Sequence, residues 1–404
     1  MLRSSLALAT CALGLIACGG GDTTHASGDT VARSADGMFN SDGVLNERPG
    51  NDQGPGQDGI KFPRDPKGKG IQIQAELQDS DCGKWIDSPF TPRTIDGSLT
   101  SLDRIQPWTA SITGDVVLNA DVDIDNVQAL RCVESIGGTL RIEGQPNVAH
   151  IVMPKLREVG ALEIQSMDNL EALRMHKLQD VGQISIVDAP ALDIVRLPEV
   201  TSLPGGLVLE GLSMASLESY LPGLEEAGSV SLVDLPQFNA FMHDSIALDG
   251  GAVELSGLDS LEQMGDFPFQ EVGEIIISEN DALQSTAGAS VEDGALVDIF
   301  ANPVLADLNV LAAASTLGAT NIADNAALED LDGFAGVTAV DGNLVIANHA
   351  ALIDTTGLDA LVSVQGDLRI TGAAALSAEE IEALELALAD VDVTGTLEVS
   401  GGAE

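Results

Sequence analysis

Along most of this chain a glycine is followed by two aliphatic residues at alternate positions. Gly342 leads Leu344 and Ile346, and Gly366 leads Leu368 and Ile370. The same start occurs at Gly114 (Val116, Leu118), Gly138 (Leu140, Ile142), Gly160 (Leu162, Ile164), Gly182 (Ile184, Ile186), Gly205 (Leu207, Leu209) and Gly228 (Val230, Leu232). It continues at Gly251 (Val253, Leu255), Gly273 (Ile275, Ile277), Gly318 and Gly395 (Leu397, Val399), with Ala295 once in the glycine place before Val297 and Ile299. The step is about 22 to 24 residues, with one longer step before Gly395, and periods of this size mark solenoids. Alternation predicts a short strand with both aliphatics on one face. Glycine permits a corner that a Cβ would obstruct. Asn280, Asn302, Asn325 and Asn348 follow the strands, where a side-chain amide holds the next turn and stacks on its equivalents. Further apolar residues recur about every third position, as at Leu328, Leu331, Phe334, Val337 and Val340. Such a unit cannot bury its apolar face alone, so the pattern predicts stacked turns and a parallel sheet.

The run Gly342-Asn-Leu-Val-Ile-Ala-Asn-His-Ala-Ala-Leu352, followed by Leu358, Leu361 and Val364, resembles the receptor L-domain family, a relative of leucine-rich repeats. The resemblance covers about residues 114–401. It implies an all-β, right-handed parallel β-helix or leucine-rich-repeat-like solenoid, here of about 12 to 13 coils. Receptor members bind protein ligands, but no ligand-contact motif carries over, and fold does not imply function. Residues 114–404 are therefore expected to form the solenoid with its C-terminal cap, and residues 75–113 an N-terminal cap. Ser377-Ala-Glu-Glu380 reads as a capping box that opens a helix with Ile381, Leu384 and Leu388 on one face.

Upstream, residues 1–17 read as a secretory signal: Arg3, an apolar run from Leu6 to Ile16, then Leu15-Ile16-Ala17-Cys18-Gly19. The last five residues resemble a bacterial lipobox, which makes Cys18 the expected lipidation site and gives membrane attachment through an N-terminal lipid. An ordinary signal peptide, or a short membrane anchor, is the alternative. The apolar run is short for a spanning helix. Residues 18–74, rich in Gly, Asp, Ser and Pro, read as a disordered tether. Removal of Cys11 with the signal and lipidation of Cys18 leave Cys82 and Cys132, an even pair in an exported chain, expected to form a disulfide. A two-cysteine metal or redox site lacks further ligands nearby.

Charge narrows the partners. The formal net charge is −45, from 18 basic and 63 acidic residues, and beyond Arg196 the one basic side chain is Arg369. Nucleic acid is excluded as a partner, because nothing would neutralise its phosphates. Asp121, Asp123 and Asp125 form the densest carboxylate run and are weak candidates for calcium, though they lack a calcium loop's glycine and distal glutamate. The five histidines, His25, His150, His176, His243 and His349, are scattered, with His176 and His349 expected in exposed turns. No nucleophile elbow, phosphate loop or dinucleotide fingerprint occurs. Expected outward strand positions are Asp115, Arg141, Glu163, Ser185, Val208, Ser231, Glu254, Ile276, Asp298, Asn321, Val345 and Arg369, with Phe300 the one aromatic on that face. Tyr220, Phe238, Phe241, Phe267 and Phe269 read either as core filling or as a contact patch. No catalytic residue and no resident cofactor is expected. The sequence thus predicts a non-enzymatic, lipid-anchored, monomeric envelope protein of the outer membrane or cell surface that displays an acidic solenoid to a protein or glycan ligand. A carbohydrate-active β-helix enzyme using Glu254 and Asp298 is one alternative. A calcium-responsive structural protein is the other.

Overall fold

The computed structural model describes residues 93–106, 108–120, 124 and 127–401. The expected signal and tether, Cys18, Cys82, His25 and the Asp121, Asp123 and Asp125 run lie outside the described residues. Each expected glycine-led start carries a strand, and the strands stack in parallel into one sixteen-stranded sheet. Three smaller parallel sheets, of three, four and four strands, line the return path. Together they make a β-solenoid of about 11 turns. The expected 12 to 13 coils counted one per strand start; strands bound turns rather than equal them, and the first turn is only partly described. Strands Arg93–Ile95 and Thr109–Ile112, within the expected N-terminal cap, already pair in the main sheet.

Register across the main sheet puts the aliphatic pairs in two continuous columns. Ile184 and Ile186 lie beside Leu207 and Leu209, which lie beside Val230 and Leu232. From Leu140 through Ile370 the residues in these two columns are buried, Thr320 included. Burying each such side chain stabilises the fold by roughly 1.5–3 kcal/mol relative to exposing it, which is what binds one turn to the next. The glycine column sits where turns touch: a Cβ on Gly251 would lie 2.1 Å from the Gly228 carbonyl oxygen.

A second backbone requirement recurs two residues after the inner aliphatic. Gly144, Ser166, Asp188, Gly211, Asp234, Gly257, Glu279, Ala301, Asp324, Asn348 and Gly372 all have φ between 50° and 71°. This left-handed residue turns the chain off the sheet at the same place in each turn. Glycine, Asn and Asp tolerate that conformation best, and they fill most of the column.

The next position is buried and forms the interior corner. It holds Met167, Ala189, Leu212, Leu235 and Leu258, then Asn280, Asn302, Asn325 and His349. The amides form a ladder. Asn302 Oδ1 accepts from Asn280 N and Nδ2, both at 3.1 Å, and Asn280 Nδ2 also donates to Leu255 O at 3.0 Å. Asn325 Oδ1 accepts from Asn302 N at 3.0 Å. Two expectations are corrected here. Asn348 belongs to the left-handed column and sits outside the ladder, and His349 is buried, not in an exposed turn. His349 takes the ladder site because the strand end fixes which residue points inward. Its Nδ1 lies 3.0 Å from Asn325 O and its Nε2 3.1 Å from Ile322 O.

Short 3-10 turns, Asn309–Leu311, Asp332–Phe334 and Thr356–Leu358, stack on the return path. In the last turn their place is taken by the helix Ala378–Leu388, which starts at the expected capping box: Ser377 N donates to Glu380 Oε2 at 2.6 Å and Glu380 N to Ser377 Oγ at 3.3 Å. Leu384 and Leu388 are buried.

Burial holds the His349 pKa below 6.5, against the two carbonyls, which raise it. The native state then binds the proton less readily than the unfolded chain, so this contribution to stability is complete above pH 6.5 and is lost as pH falls below it. His349→Asn, which matches the ladder, should remove that dependence and keep the melting temperature. The neutral ring has a single N–H to give, and Asn325 O also accepts from Leu328 N at 3.2 Å, so His349→Leu removes one buried hydrogen bond and should cost about 1–3 kcal/mol. Denaturant melts between pH 5 and 8 check both.

Candidate binding face

The inward columns leave an outward face on the main sheet, and the residues there bond from strand to strand. Arg141 Nε donates to Glu163 Oε2 at 2.5 Å. Ser231 Oγ donates to Glu254 Oε2 at 2.8 Å, Ser278 Oγ to Ser256 Oγ at 3.0 Å, and Asn321 Nδ2 to Asp298 Oδ1 at 2.7 Å. Arg369 reaches Glu398 on the next strand at 3.9 Å, and within its own turn Asp367 at 2.7 Å. Parallel stacking in register brings each outward side chain beside its equivalents on either side, so these bonds follow from the repeat itself.

The face is acidic at its middle. The expected outward position Asp115 is corrected: Val117 stands beside Arg141, three residues after its glycine as in the other turns, and Asp115, directly after Gly114, is level with Thr139 in the preceding column. Glu254 lies beside Ile276, which lies beside Asp298. The two carboxylates are thus two strands apart, about 9–10 Å at ordinary strand spacing. Glu210 and Glu274 join them. Neither was singled out in the sequence, because both sit one column to the side of the strand centre; aligning all turns on the inner aliphatic exposes them. Partial burial raises the Glu210 pKa, helped by the charges of Asp188, Asp234 and Glu254. Partial burial likewise raises Glu274, helped by Asp298 and Glu254. Asp298 is raised by burial, against the bond from Asn321. Phe300 is half-buried at the edge of the group.

The aromatics belong to the interior. Phe238, Phe241 and Phe269 are buried, and Phe241 meets Phe238, Phe267 and Phe269 edge-on at 5.2, 5.5 and 5.7 Å between ring centres. Tyr220 is buried with its hydroxyl donating to Leu192 O at 2.8 Å. The contact-patch reading is therefore corrected: the rings pack on one another and fill the interior beside the leucines of their turns. Next to them a cleft of about 420 Å³ is lined by Glu218, Pro222, Met242, His243, Asp244 and Asp266. His243 Nε2 lies 2.9 Å from Leu221 O, and Met242 is 59% exposed.

His150 lies 3.8 Å from Glu171, and burial lowers its pKa. Cys132, the described half of the expected disulfide, is buried at the end of the 3-10 turn Gln128–Cys132. Among the described residues no group of three or more His, Cys, Asp or Glu side chains is arranged to hold a metal ion. No helix among them is long and apolar enough to cross a membrane. No protein-family profile, curated protein or solved structure matches the chain.

The raised carboxyls have a pH signature. Their folded pKa values exceed the unfolded ones, so their contribution to stability is full below about pH 4 and is lost as pH rises through the folded values. Glu274→Gln and Glu210→Gln should each flatten the fall in melting temperature between pH 4 and 7. An unchanged slope in both variants would show that neither carboxyl carries this strain.

Proposed function

We propose that this chain is a lipid-anchored protein of a bacterial cell envelope, attached through Cys18 at the outer membrane or cell surface. In this reading it is a receptor-L-domain-like solenoid that serves as a binding surface, not an enzyme. The supporting observation is the outward sheet face. Its polar side chains are already fixed by bonds between strands, as in Ser231 to Glu254 and Asn321 to Asp298. A face whose side chains are ordered beforehand loses less entropy on binding a protein or glycan. Its acidity suits a ligand that presents cationic or hydrogen-bond-donating groups. A Cys82–Cys132 disulfide, on the same reading, fastens the start of the solenoid in an oxidising compartment.

One observation favours a second reading, a carbohydrate-active enzyme. Burial holds a proton on Asp298 more firmly than usual, two strands from Glu254, as an acid and base pair across a sugar would require. Polysaccharide cleavage that disappears in both Asp298→Asn and Glu254→Gln would establish it.

The anchor is tested directly. Cells expressing the chain should incorporate labelled palmitate into it, and Cys18→Ala should abolish the label and release the protein from the membrane fraction. Label retained by Cys18→Ala refutes the anchor.

A further inference from the structure

Among the described residues the far end of the stack is uncovered. In the final strand, Leu397–Gly401, the inward Leu397 is 41% exposed, whereas its equivalents Leu368 and Leu344 are each 0% exposed. Val399 and Val393 are only partly buried. Among the described residues the outer edges of Leu397–Gly401 and of Asp392–Val393 pair with nothing, since both stand last in their sheets. The helix Ala378–Leu388 packs along the side of this turn and leaves the edge clear, with its own Leu386 75% exposed. An apolar floor beside an unpaired strand edge is a site for adding a strand.

The end is also charged. Residues 377–401 carry Glu379, Glu380, Glu382, Glu385, Asp390, Asp392 and Glu398 and no basic side chain. Two such ends repel each other, so pairing end to identical end is disfavoured. The chain holds one stretch that fits better. In residues 70–78, Ile71, Ile73, Ala75 and Leu77 alternate with Gln72, Gln74 and Glu76, and the Ile-Gln-Ile triplet has the form of the repeat's own strands, such as Ile184-Ser-Ile186. Arg64, Lys67 and Lys69 stand just ahead of it.

This stretch cannot reach its own far end. Some fifteen residues separate Gln78 from the first described strand, a reach of at most about 50 Å. The main sheet's path from that strand to the last takes thirteen steps, fourteen strands less one, or about 62 Å at 4.8 Å each.

We propose that the open end accepts residues 70–78 of a second copy as a further strand, so that copies join head to tail. This replaces the monomer expected from the sequence. The occupied end supplies backbone partners along the last strand and covers Leu397 and Val399, and the basic flank meets the acidic helix. The contact is heterologous, because donor and acceptor are different surfaces of the same chain.

Two full-length variants purified in detergent test it: Gln72→Cys in one copy and Glu398→Cys in another, mixed under mild oxidation. The expected product is a 72–398 cross-link, identified by mass spectrometry, whose rate falls several-fold in 1 M salt as the charges are screened. Adding Leu397→Asp to the Glu398→Cys partner should abolish the cross-link while leaving its circular dichroism unchanged. Cross-linking of Glu398→Cys to itself, or no 72–398 product at low salt, overturns the proposal.

Discussion

The fold depends on one contact repeated along the stack: two inward aliphatics of one turn lying on the two of the next. No single turn has a core of its own. Leu207 and Leu209 are buried only because Ile184 and Ile186 lie on one side and Val230 and Leu232 on the other. Stability in such an array is approximately a sum over neighbouring turns, and it is lowest where a neighbour is missing. The last strand shows this directly, with Leu397 exposed at a position that is sealed everywhere else.

The outward face follows from the same stacking. Strands in register place like columns side by side, so an outward polar residue finds its partner one turn away, as Glu163 does in Arg141 and Asp298 in Asn321. The same geometry gathers carboxylates that are far apart in sequence. Glu210, Glu274 and Asp298 hold their protons more firmly than isolated groups would, through partial burial in all three and, at Glu210 and Glu274, the charge of Glu254 beside them, and the chain's basic residues lie almost wholly at its other end.

Much of this was legible in the sequence. The Gly-x-aliphatic-x-aliphatic period gave the strands, their parallel order and the inward pairs, and Ser377 with Glu380 gave the helix start. What escaped was set by backbone conformation, which the sequence shows only indirectly. The left-handed column holds Gly, Ser, Asp, Glu, Ala and Asn, too mixed a set to stand out. Missing it moved the Asn ladder by one residue in a single turn, putting Asn348 where His349 belongs. The candidate face was half legible. Glu254 and Asp298 were found because they occupy strand centres, whereas Glu210 and Glu274 needed the register of neighbouring turns. The fate of the aromatics depended on packing volume, which no linear pattern records.

The left-handed column bears on length. From the first inward aliphatic to the left-handed residue the spacing is always four, as from Leu140 to Gly144 and from Leu368 to Gly372. All variation in the step, including the longer one that accommodates the helix Ala378–Leu388, falls on the return path. The chain therefore keeps its phase in one short module and is free elsewhere. Deleting one residue inside a module inverts the facing of everything up to the next corner, whereas excising a complete turn leaves the remaining modules in frame.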